Sequence, residues 1–288
     1  MQIKNHQTNI WENIWQSVIN DPLKRHEKDT QRHLQRWDKK AKGFLERASE
    51  PEATQRKQNT IRLLKNEGVL TKDTKVLDIG AGPGNWAISF AQEVAHVTAL
   101  EPSKEMVMLL KQRMDENNIN NISVDQRTWE SVHLNEDQYD KQFDLVFASM
   151  TPGVNSPETL KKMIGASKKF CYLSCFSGQG WRESYAQLWH DIVGKPLGPN
   201  PGDIIYPFTV IYGMGYKPSL HFEQWTYVRE DPVDSAIEDV LYFFEDYIDI
   251  TDTIHKQVTE AIKSQSTDGI FRKEKLVSQG IMLWKVAQ

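Results

Sequence analysis

One stretch, residues 75–84, constrains the fold of this chain more than any other. It reads Lys-Val-Leu-Asp-Ile-Gly-Ala-Gly-Pro-Gly, and it predicts a short buried strand, a glycine turn and a helix that opens near Asn85. Glycine suits such a turn because it tolerates positive φ and lets a ligand approach the backbone closely. The helix N-terminus beyond the turn presents free N–H groups and a partial positive charge. The stretch therefore predicts a ligand site where a strand passes into a helix.

Two carboxylates frame this turn. Asp78 lies two residues before the first glycine, at the lip of the turn. A second predicted strand begins at Val97 and ends in an acid, Glu101. A carboxylate at that strand end is placed to accept hydrogen bonds from both hydroxyls of a ribose. The pair therefore favours a ligand that contains a nucleoside.

The spacing of the glycines separates two classes of ligand. A dinucleotide fingerprint is G-x-G-x-x-G, and its third glycine would fall on Asn85. This chain has G-x-G-x-G, formed by Gly80, Gly82 and Gly84, with an acid before it. A glycine loop alone is a weak signal, so an NAD site and a structural turn without a ligand are the two alternatives.

The same residues resemble the first motif of the class I S-adenosylmethionine (SAM)-dependent methyltransferases, a hydrophobic strand followed by D/E-x-G-x-G-x-G. In that family the glycine loop passes the methionine part of SAM, and the acid that ends the second strand holds the ribose. The resemblance assigns these roles to Gly80, Gly82, Gly84 and Glu101. It is specific over roughly residues 60–176, and it implies SAM as cofactor and S-adenosylhomocysteine (SAH) as product.

Further cofactor contacts are predicted around the turn and after the second strand. These residues are Asp78, Ala81, Asn85, Trp86, Pro102, Ser103 and Met106. Ser103 is placed to cap the helix that follows. For Met106, contact with the adenine ring and an ordinary place in the core are both open.

The adenine contact departs from the family pattern. After the third predicted strand, 122–126, family members often carry an acid that bonds the adenine amino group. The register places Thr128 there in this chain. The contact is therefore predicted from Thr128, from backbone groups or from stacking on Trp129, with Glu130 as an alternative.

The loop after the fourth predicted strand should face the transferred methyl group. That strand spans residues 143–149, and ligands of open α/β sheets bind at the carboxyl ends of the strands. Met150 opens the loop and is a predicted cofactor contact. The loop does not match N-P-P-[YF] or D-P-P-[YF], the signature of amino-methylating enzymes that act on nucleic acids and proteins.

The first 50 residues are predicted to form helices, and the role of these helices has two interpretations. Their tryptophans either dock the helices on the core or form a lid over the cofactor. The lid interpretation rests on resemblance, since many methyltransferases of this class carry a W-x-x-x-A-x-x-[FY] helix near the pocket. Trp37, Ala41 and Phe44 match it, so Trp37 is a predicted cofactor contact.

The predicted fold is α/β, a seven-strand Rossmann-like methyltransferase sheet with an N-terminal helical extension and helical cap insertions near the C-terminus. The predicted domains are a helical extension or lid (1–50), a SAM-binding core (51–176) and a C-terminal part (177–288). The last part carries cap segments at about 177–217 and 231–268, plus the final two strands. The closing strand is predicted at 280–286.

Charge and composition bound the partners. The chain of 288 residues has a formal net charge of −4, whereas nucleic-acid binders usually carry a basic domain. Residues 24–42 are basic and residues 231–252 carry acids without Lys or Arg, so a small-molecule acceptor is predicted and a nucleic acid is not. The alternatives are a nucleic-acid methyltransferase, a non-catalytic SAM-binding subunit and another SAM-using transferase.

Cysteine and apolar patterns indicate a cytoplasmic setting. The sequence has no run of about 18 apolar residues, so no membrane span is predicted. The N-terminal residues lack a hydrophobic signal region. Cys171 and Cys175 lie on one face of a predicted strand, too far apart for a bridge, as expected of buried thiols in a reducing compartment. The histidines lack metal-ligand spacing, so no metal site is predicted.

No residue is assigned a catalytic role. A general base is needed only if the acceptor must lose a proton before it attacks. The residues that could face the mouth of the site are Thr151, Asn155, Tyr185, His190, Tyr206 and His221. No motif selects one of them.

Overall fold

The computed structural model describes residues 2–21 and 30–286. It opens with three helices, α1 (Gln2–Ile19), α2 (Thr30–Ala48) and α3 (Pro51–Asn66). Three members of the predicted basic segment, Lys24, Arg25 and Lys28, lie outside the described residues.

Alternating strands and helices follow. They are β1 (Lys75–Ile79), α4 (Ala87–Ala91), β2 (His96–Leu100), α5 (Lys104–Glu116), β3 (Ile122–Asp125), β4 (Phe143–Ser149), α6 (Pro157–Ala166) and β5 (Ser167–Phe176). Pairs β1–β2, β1–β4, β2–β3 and β4–β5 are parallel. Near-continuous apolar sequence in β1 and β4 suits strands that are buried on both faces of a parallel sheet.

The C-terminal part combines helices and long strands. After a 3-10 turn at Gly180–Tyr185 come α7 (Ala186–Val193), α8 (Ile205–Gly213), β6 (Ser219–Pro232), α9 (Val233–Glu245), α10 (Asp252–Ser264), β7 (Ser266–Thr267) and β8 (Ile270–Lys285). The sheet order is β3-β2-β1-β4-β5-β8-β6, and the two-residue β7 pairs with β8 off this path. Seven strands on the main path confirm the predicted fold class.

One predicted boundary is wrong and another is close. The helix after the glycine turn is assigned from Ala87, two residues beyond the predicted start near Asn85, and Ile88 N already donates to the Gly84 carbonyl at 3.1 Å. The last strand begins at Ile270, ten residues before the predicted start. Its first half is rich in charged residues, but Lys275 is nevertheless only 5% exposed, so polarity concealed the strand.

The described chain divides into two compact units. The smaller unit holds residues 2–21, 175–210 and 221–281, and the larger unit holds residues 30–174, 211–220 and 282–286. The predicted domain boundaries stay a prediction. None of the described helices is long and apolar enough to cross a bilayer.

Candidate active site

The glycine turn is fixed to the end of β2. Gly80, Gly82 and Gly84 have φ values of 72°, 56° and 81°, a region in which other residues are strained. The backbone N–H groups of Gly80 and Ala81 both donate to the Leu100 carbonyl, at 2.8 and 3.1 Å. Because β1 and β2 are parallel neighbours, the turn and the residue after β2 meet at one edge of the sheet.

Glu101, the residue directly after β2, is held by two backbone N–H groups. Its Oε2 accepts from Gly82 N and its Oε1 from Ser103 N, both at 2.8 Å. The side chain is buried, which raises its pKa, and the negative charge of Asp38 adds to this while the two hydrogen bonds oppose it. Each oxygen keeps a lone pair for a further donor. The arrangement therefore orients the carboxylate without saturating it.

Asp78 lies beneath the turn and is 1% exposed. Burial raises its pKa to about 8, the nearby Glu101 charge adds to the rise, and a hydrogen bond from the Ala87 backbone opposes it. Its Oδ2 is buried and has no hydrogen-bond partner among the described residues. A buried carboxylate oxygen without a donor is costly, and it marks a place for a ligand donor or cation.

The three glycines differ in the space around them. A Cβ added at Gly80 would lie 2.1 Å from Thr151 Oγ1, and one at Gly84 would lie 2.4 Å from Leu110 Cδ1. A Cβ at Gly82 would meet only Met106 Sδ, at 3.9 Å. Gly80 and Gly84 are therefore required by packing, whereas the space above Gly82 is open to a ligand.

The remaining predicted residues of the turn are tied to the fold. Asn85 Oδ1 accepts from Arg113 Nη1 at 3.1 Å, and the same nitrogen donates to the Pro83 carbonyl at 2.5 Å. The Trp86 ring lies 4.9 Å from the Phe147 ring, over the sheet. Arg113 of α5 thus clamps the turn. The sequence did not indicate this role, because Arg113 lies 30 residues from Pro83 and 28 residues from Asn85 and no local pattern links them.

Ser103 caps α5, as predicted. Its Oγ accepts from Met106 N at 3.2 Å, and Met106 itself is 4% exposed. Pro102, just before the cap, is half-buried. The Ser103 Oγ also donates to Asp38 Oδ1 of α2 at 2.5 Å, a contact that the sequence did not indicate.

The three residues predicted at the adenine differ from one another in how far they are buried. Thr128 is half-buried, and its Oγ1 accepts from Ser131 N at 3.3 Å. Trp129 is 2% exposed, with its Nε1 donating to the Thr159 carbonyl at 3.0 Å and Lys162 Nζ 4.9 Å from its ring. Glu130 is exposed.

The loop after β4 begins with a strained residue. Met150 has a φ of 52° and is 36% exposed, and its N–H donates to the Ser174 carbonyl at 2.9 Å. Thr151 Oγ1 accepts from Gly153 N at 3.1 Å, and Asn155 Nδ2 donates to Glu130 Oε1 at 3.3 Å. A non-glycine residue at positive φ is typical of functional loops.

The N-terminal helices divide between the two units. α2 belongs to the larger unit, where it packs on α5, and the Trp37 ring lies 5.3 Å from the Phe44 ring. In the smaller unit, Trp15 of α1 is 1% exposed, stacks on Tyr206 at 6.5 Å and donates from Nε1 to the Pro201 carbonyl at 2.9 Å. Trp15 is therefore a core residue of its unit.

Thr151 and Asn155 lie in the larger unit, and the other four mouth-facing candidates lie in the smaller one. Tyr185 is buried with its ring 5.8 Å from the Phe243 ring. His190 is exposed, with its Nδ1 3.8 Å from Asp191, and His221 is exposed as well. Tyr206 stacks on Trp15. The described residues contain no group of three or more His, Cys, Asp or Glu able to hold a metal ion.

Comparison with known proteins assigns a class to this arrangement. Residues 70–188 match a family model described as a methyltransferase domain. The resemblance to the class I, Rossmann-like SAM-dependent methyltransferases is confirmed over residues 70–188.

Two proteins are similar to this chain in sequence. A protein of Haemophilus influenzae is 27% identical over 193 residues, and the alignment covers 65% of each chain. The uncharacterized methyltransferase YcgJ of Bacillus subtilis is 35% identical over 66 residues, which are 23% of this chain and 26% of that protein. The chain therefore spans less than two thirds of the length of either relative.

Solved structures share the fold. A protein from Bacillus halodurans, described as a candidate methyltransferase, aligns with a TM-score of 0.52 at 16% identity, covering 79% of this chain and 98% of that chain. YcgJ aligns with a TM-score of 0.51 at 13% identity and the same coverage. At these identities the likeness concerns the fold.

Proposed function

We propose that this chain binds SAM and transfers its methyl group to a small-molecule acceptor. The observation that carries the proposal is the pair of buried carboxylates at the glycine turn, Asp78 and Glu101. Glu101 is fixed by two backbone N–H groups, and Asp78 has one oxygen without a partner among the described residues. Both acids have raised pKa values, so a cationic ligand would stabilise their ionised forms.

The residues fit the parts of SAM one by one. The free lone pairs of Glu101 suit the two ribose hydroxyls, and the unpaired Oδ2 of Asp78 suits the methionine ammonium. The open space above Gly82 admits a ligand close to the backbone. For the adenine, Thr128, Trp129 and Met106 stay the proposed contacts, and Met150 and Trp37 complete the proposed set.

The same charges argue against NAD. A dinucleotide would place its anionic pyrophosphate at the turn. An ionised Asp78 beneath the turn would repel it, whereas Glu101 does not separate the two ligands, since NAD also carries a ribose. SAM instead brings an ammonium and a sulfonium, which the carboxylates attract. Charge and glycine spacing thus favour the same ligand.

Bound SAM would supply an electrophilic methyl group on a positively charged sulfur for transfer to a nucleophilic acceptor, with SAH as the leaving product. The chain then has to align the two reactants and exclude water. The 150–155 loop, at the carboxyl end of β4, is the proposed lining beside the methyl group. Any proton leaves from the acceptor to solvent or to a base that we do not assign.

Charge supports a small acceptor more than a nucleic acid. The net charge of −4 does not provide the basic domain that phosphate backbones require. The acidic segment 231–252 is partly neutralised, because Arg229 pairs with both Asp231 and Asp239. The nucleic-acid alternative rests on the basic residues of α2. We expect the reaction to take place in the cytoplasm, in keeping with two unpaired cysteines.

Calorimetry and a transfer assay test the proposal together. SAH and SAM should bind the full chain with one site, and NAD should give no heat. Labelled SAM should then transfer label to a fraction of small metabolites and not to mixed tRNA, rRNA or DNA. NAD binding without SAM heat would overturn the cofactor assignment. Label in nucleic acid, with affinity that falls steeply between about 50 and 200 mM salt, would overturn the acceptor class.

A further inference from the structure

A buried arginine in the smaller unit has two nitrogen atoms without a hydrogen-bond partner among the described residues. Arg182 lies in the 3-10 turn that follows β5, and it is 4% exposed. Its Nε and Nη1 are buried and have no hydrogen-bond partner in the described part of the chain. The guanidinium group carries a positive charge. A buried charge without acceptors is strongly unfavourable, which points to a missing anion.

Aromatic rings surround the guanidinium but cannot replace an acceptor. Its Cζ lies 6.0 Å from the centroid of the Phe243 ring and 5.8 Å from that of Tyr247. Both aromatic residues belong to the buried core of this unit. Contact with ring faces attracts the cation. It leaves the N–H groups of Nε and Nη1 without oxygen partners, so two directional donors stay available.

The turn that carries Arg182 is held in place by its surroundings. Gly178 N donates to Asp203 Oδ2 and Asn200 Nδ2 donates to the Gly178 carbonyl, both at 2.9 Å. At the other end of the turn, Lys273 Nζ donates to the Ser184 carbonyl. A binding group on a fixed turn loses little freedom when its ligand arrives. The arginine is therefore preorganised.

A third unsatisfied atom belongs to Gln179, the residue just before the same turn. Gln179 Oε1 is buried without a partner among the described residues, while its Nε2 donates to the Gly198 carbonyl at 3.2 Å. The Gln179 backbone carbonyl accepts from Arg182 N at 3.2 Å, which further fixes the backbone of the turn.

We propose that Arg182 binds a carboxylate ligand. The planar guanidinium matches a carboxylate geometrically, and one negative charge balances one positive charge in a site walled by Phe243 and Tyr247. A phosphate dianion would leave a second charge to be balanced there. This anion site does not rest on the proposed function.

Thermal unfolding with small probes tests the site on the full chain. Benzoate, which joins a carboxylate to an aromatic ring, should raise the Tm in a concentration-dependent way by about 2–4 °C near saturation. Benzamide, its neutral analogue, should not. Arg182→Met should abolish the rise, and Arg272→Met, which removes a half-exposed arginine of the same unit, should keep it. No rise in the wild type, or an equal rise with Arg182→Met, overturns the proposal.

The ligand-free stability of Arg182→Met distinguishes a ligand-binding arginine from a structural one. An unpaired buried charge replaced by an apolar side chain leaves stability unchanged or increases it, so the Tm should not fall. A fall of more than about 4 °C would show that the fold itself needs the guanidinium, and this would overturn the proposal. A rise with inorganic phosphate but not with benzoate would overturn the carboxylate class.

SAH calorimetry on the same variants separates this proposal from the preceding one. Arg182→Met should bind SAH with a Kd within about twofold of the wild type, since SAH contacts are proposed in the larger unit. If the wild type does not bind SAH but benzoate raises its Tm, the proposed function is refuted and the anion site is not. A benzoate failure with normal SAH binding would refute only the role of Arg182.

Discussion

Asp38 of α2 accepts a hydrogen bond from Ser103 Oγ across 2.5 Å, although 65 residues separate the two. The same Asp38 oxygen accepts from Glu105 N at 3.2 Å. Ser103 in turn donates its backbone N–H to Glu101 Oε1, and Glu101 Oε2 accepts from Gly82 N. A chain of hydrogen bonds therefore connects α2 to the proposed ribose carboxylate.

From this series of hydrogen bonds we predict that Asp38 positions the cofactor site. Asp38→Ala should weaken SAH binding about fivefold, the effect of losing roughly 1 kcal/mol of hydrogen bonding behind Glu101. Asp38→Asn keeps an oxygen that can accept from Ser103 and Glu105, and it removes a charge that raises the pKa of Glu101. Its affinity should stay within about twofold of the wild type. Calorimetry with SAH checks both, and equal affinities for the alanine variant and the wild type would contradict the prediction.

Glu101→Ala should weaken SAM and SAH by about 1.5–3 kcal/mol, the usual scale for lost charge-assisted hydrogen bonds. Glu136→Ala, which removes an exposed acid, is the matched control and should bind as the wild type does. The measurement is a titration by calorimetry at constant pH. Unchanged affinity in Glu101→Ala would mean that this carboxylate does not hold the ribose.

Asp78 predicts how stability depends on pH in the ligand-free protein. Its pKa is about 8 in the folded chain, against 3.8 as its ordinary value. The folded state therefore holds this proton more tightly than the unfolded state does. Its contribution to the free energy of unfolding is complete below pH about 4 and is lost as pH rises through about 8. The slope from this one group is at most about 1.4 kcal/mol per pH unit.

Asp78→Asn should flatten that slope and should be more stable than the wild type at pH 8. Urea unfolding at pH 5, 6.5 and 8 gives the free energy of unfolding at each pH. Asp140→Asn changes an exposed acid and serves as the control. If Asp78→Asn and the wild type lose stability in parallel between pH 5 and 8, the proton is not held by Asp78.

The elements around the glycine turn could be predicted because each rests on a local pattern. The glycine spacing, the acid two residues before it and the acid at the end of β2 all lie within 24 residues of chain, from Asp78 to Glu101. Ser103 caps its helix through a neighbouring backbone group, which local sequence encodes. Such features do not depend on distant contacts.

The rest depends on contacts that sequence separation conceals. Asp38 reaches Ser103 over 65 residues, and Arg113 reaches Pro83 over 30. The start of β8 was missed for a related reason. Its charged residues do not form the apolar pattern of a buried strand, but Lys275 is buried with its Nζ 5.1 Å from the Tyr185 ring. Only packing shows which charged side chains are covered.

Trp15 decides between docking and lid for the first helix. Because it is 1% exposed and hydrogen-bonded, Trp15→Ala should lower the free energy of unfolding by about 3–5 kcal/mol. Trp11 is 38% exposed, and its alanine variant should cost less than about 1 kcal/mol. Urea unfolding measures both. A Trp15→Ala protein that keeps its stability and loses turnover would favour the lid.

The two glycines at the start of the turn should respond differently to alanine. Both adopt positive φ, so each substitution costs about 1–2 kcal/mol in backbone strain. At Gly80 the new methyl would also fall 2.1 Å from Thr151 Oγ1, so Gly80→Ala should disrupt the fold. At Gly82 it would have room, so Gly82→Ala should fold with a modest loss of Tm and bind SAH at least tenfold more weakly, because the methyl fills the space that the ligand needs. Thermal unfolding and calorimetry separate the two effects. Wild-type SAH affinity in a folded Gly82→Ala protein would show that the cofactor does not pass over this glycine.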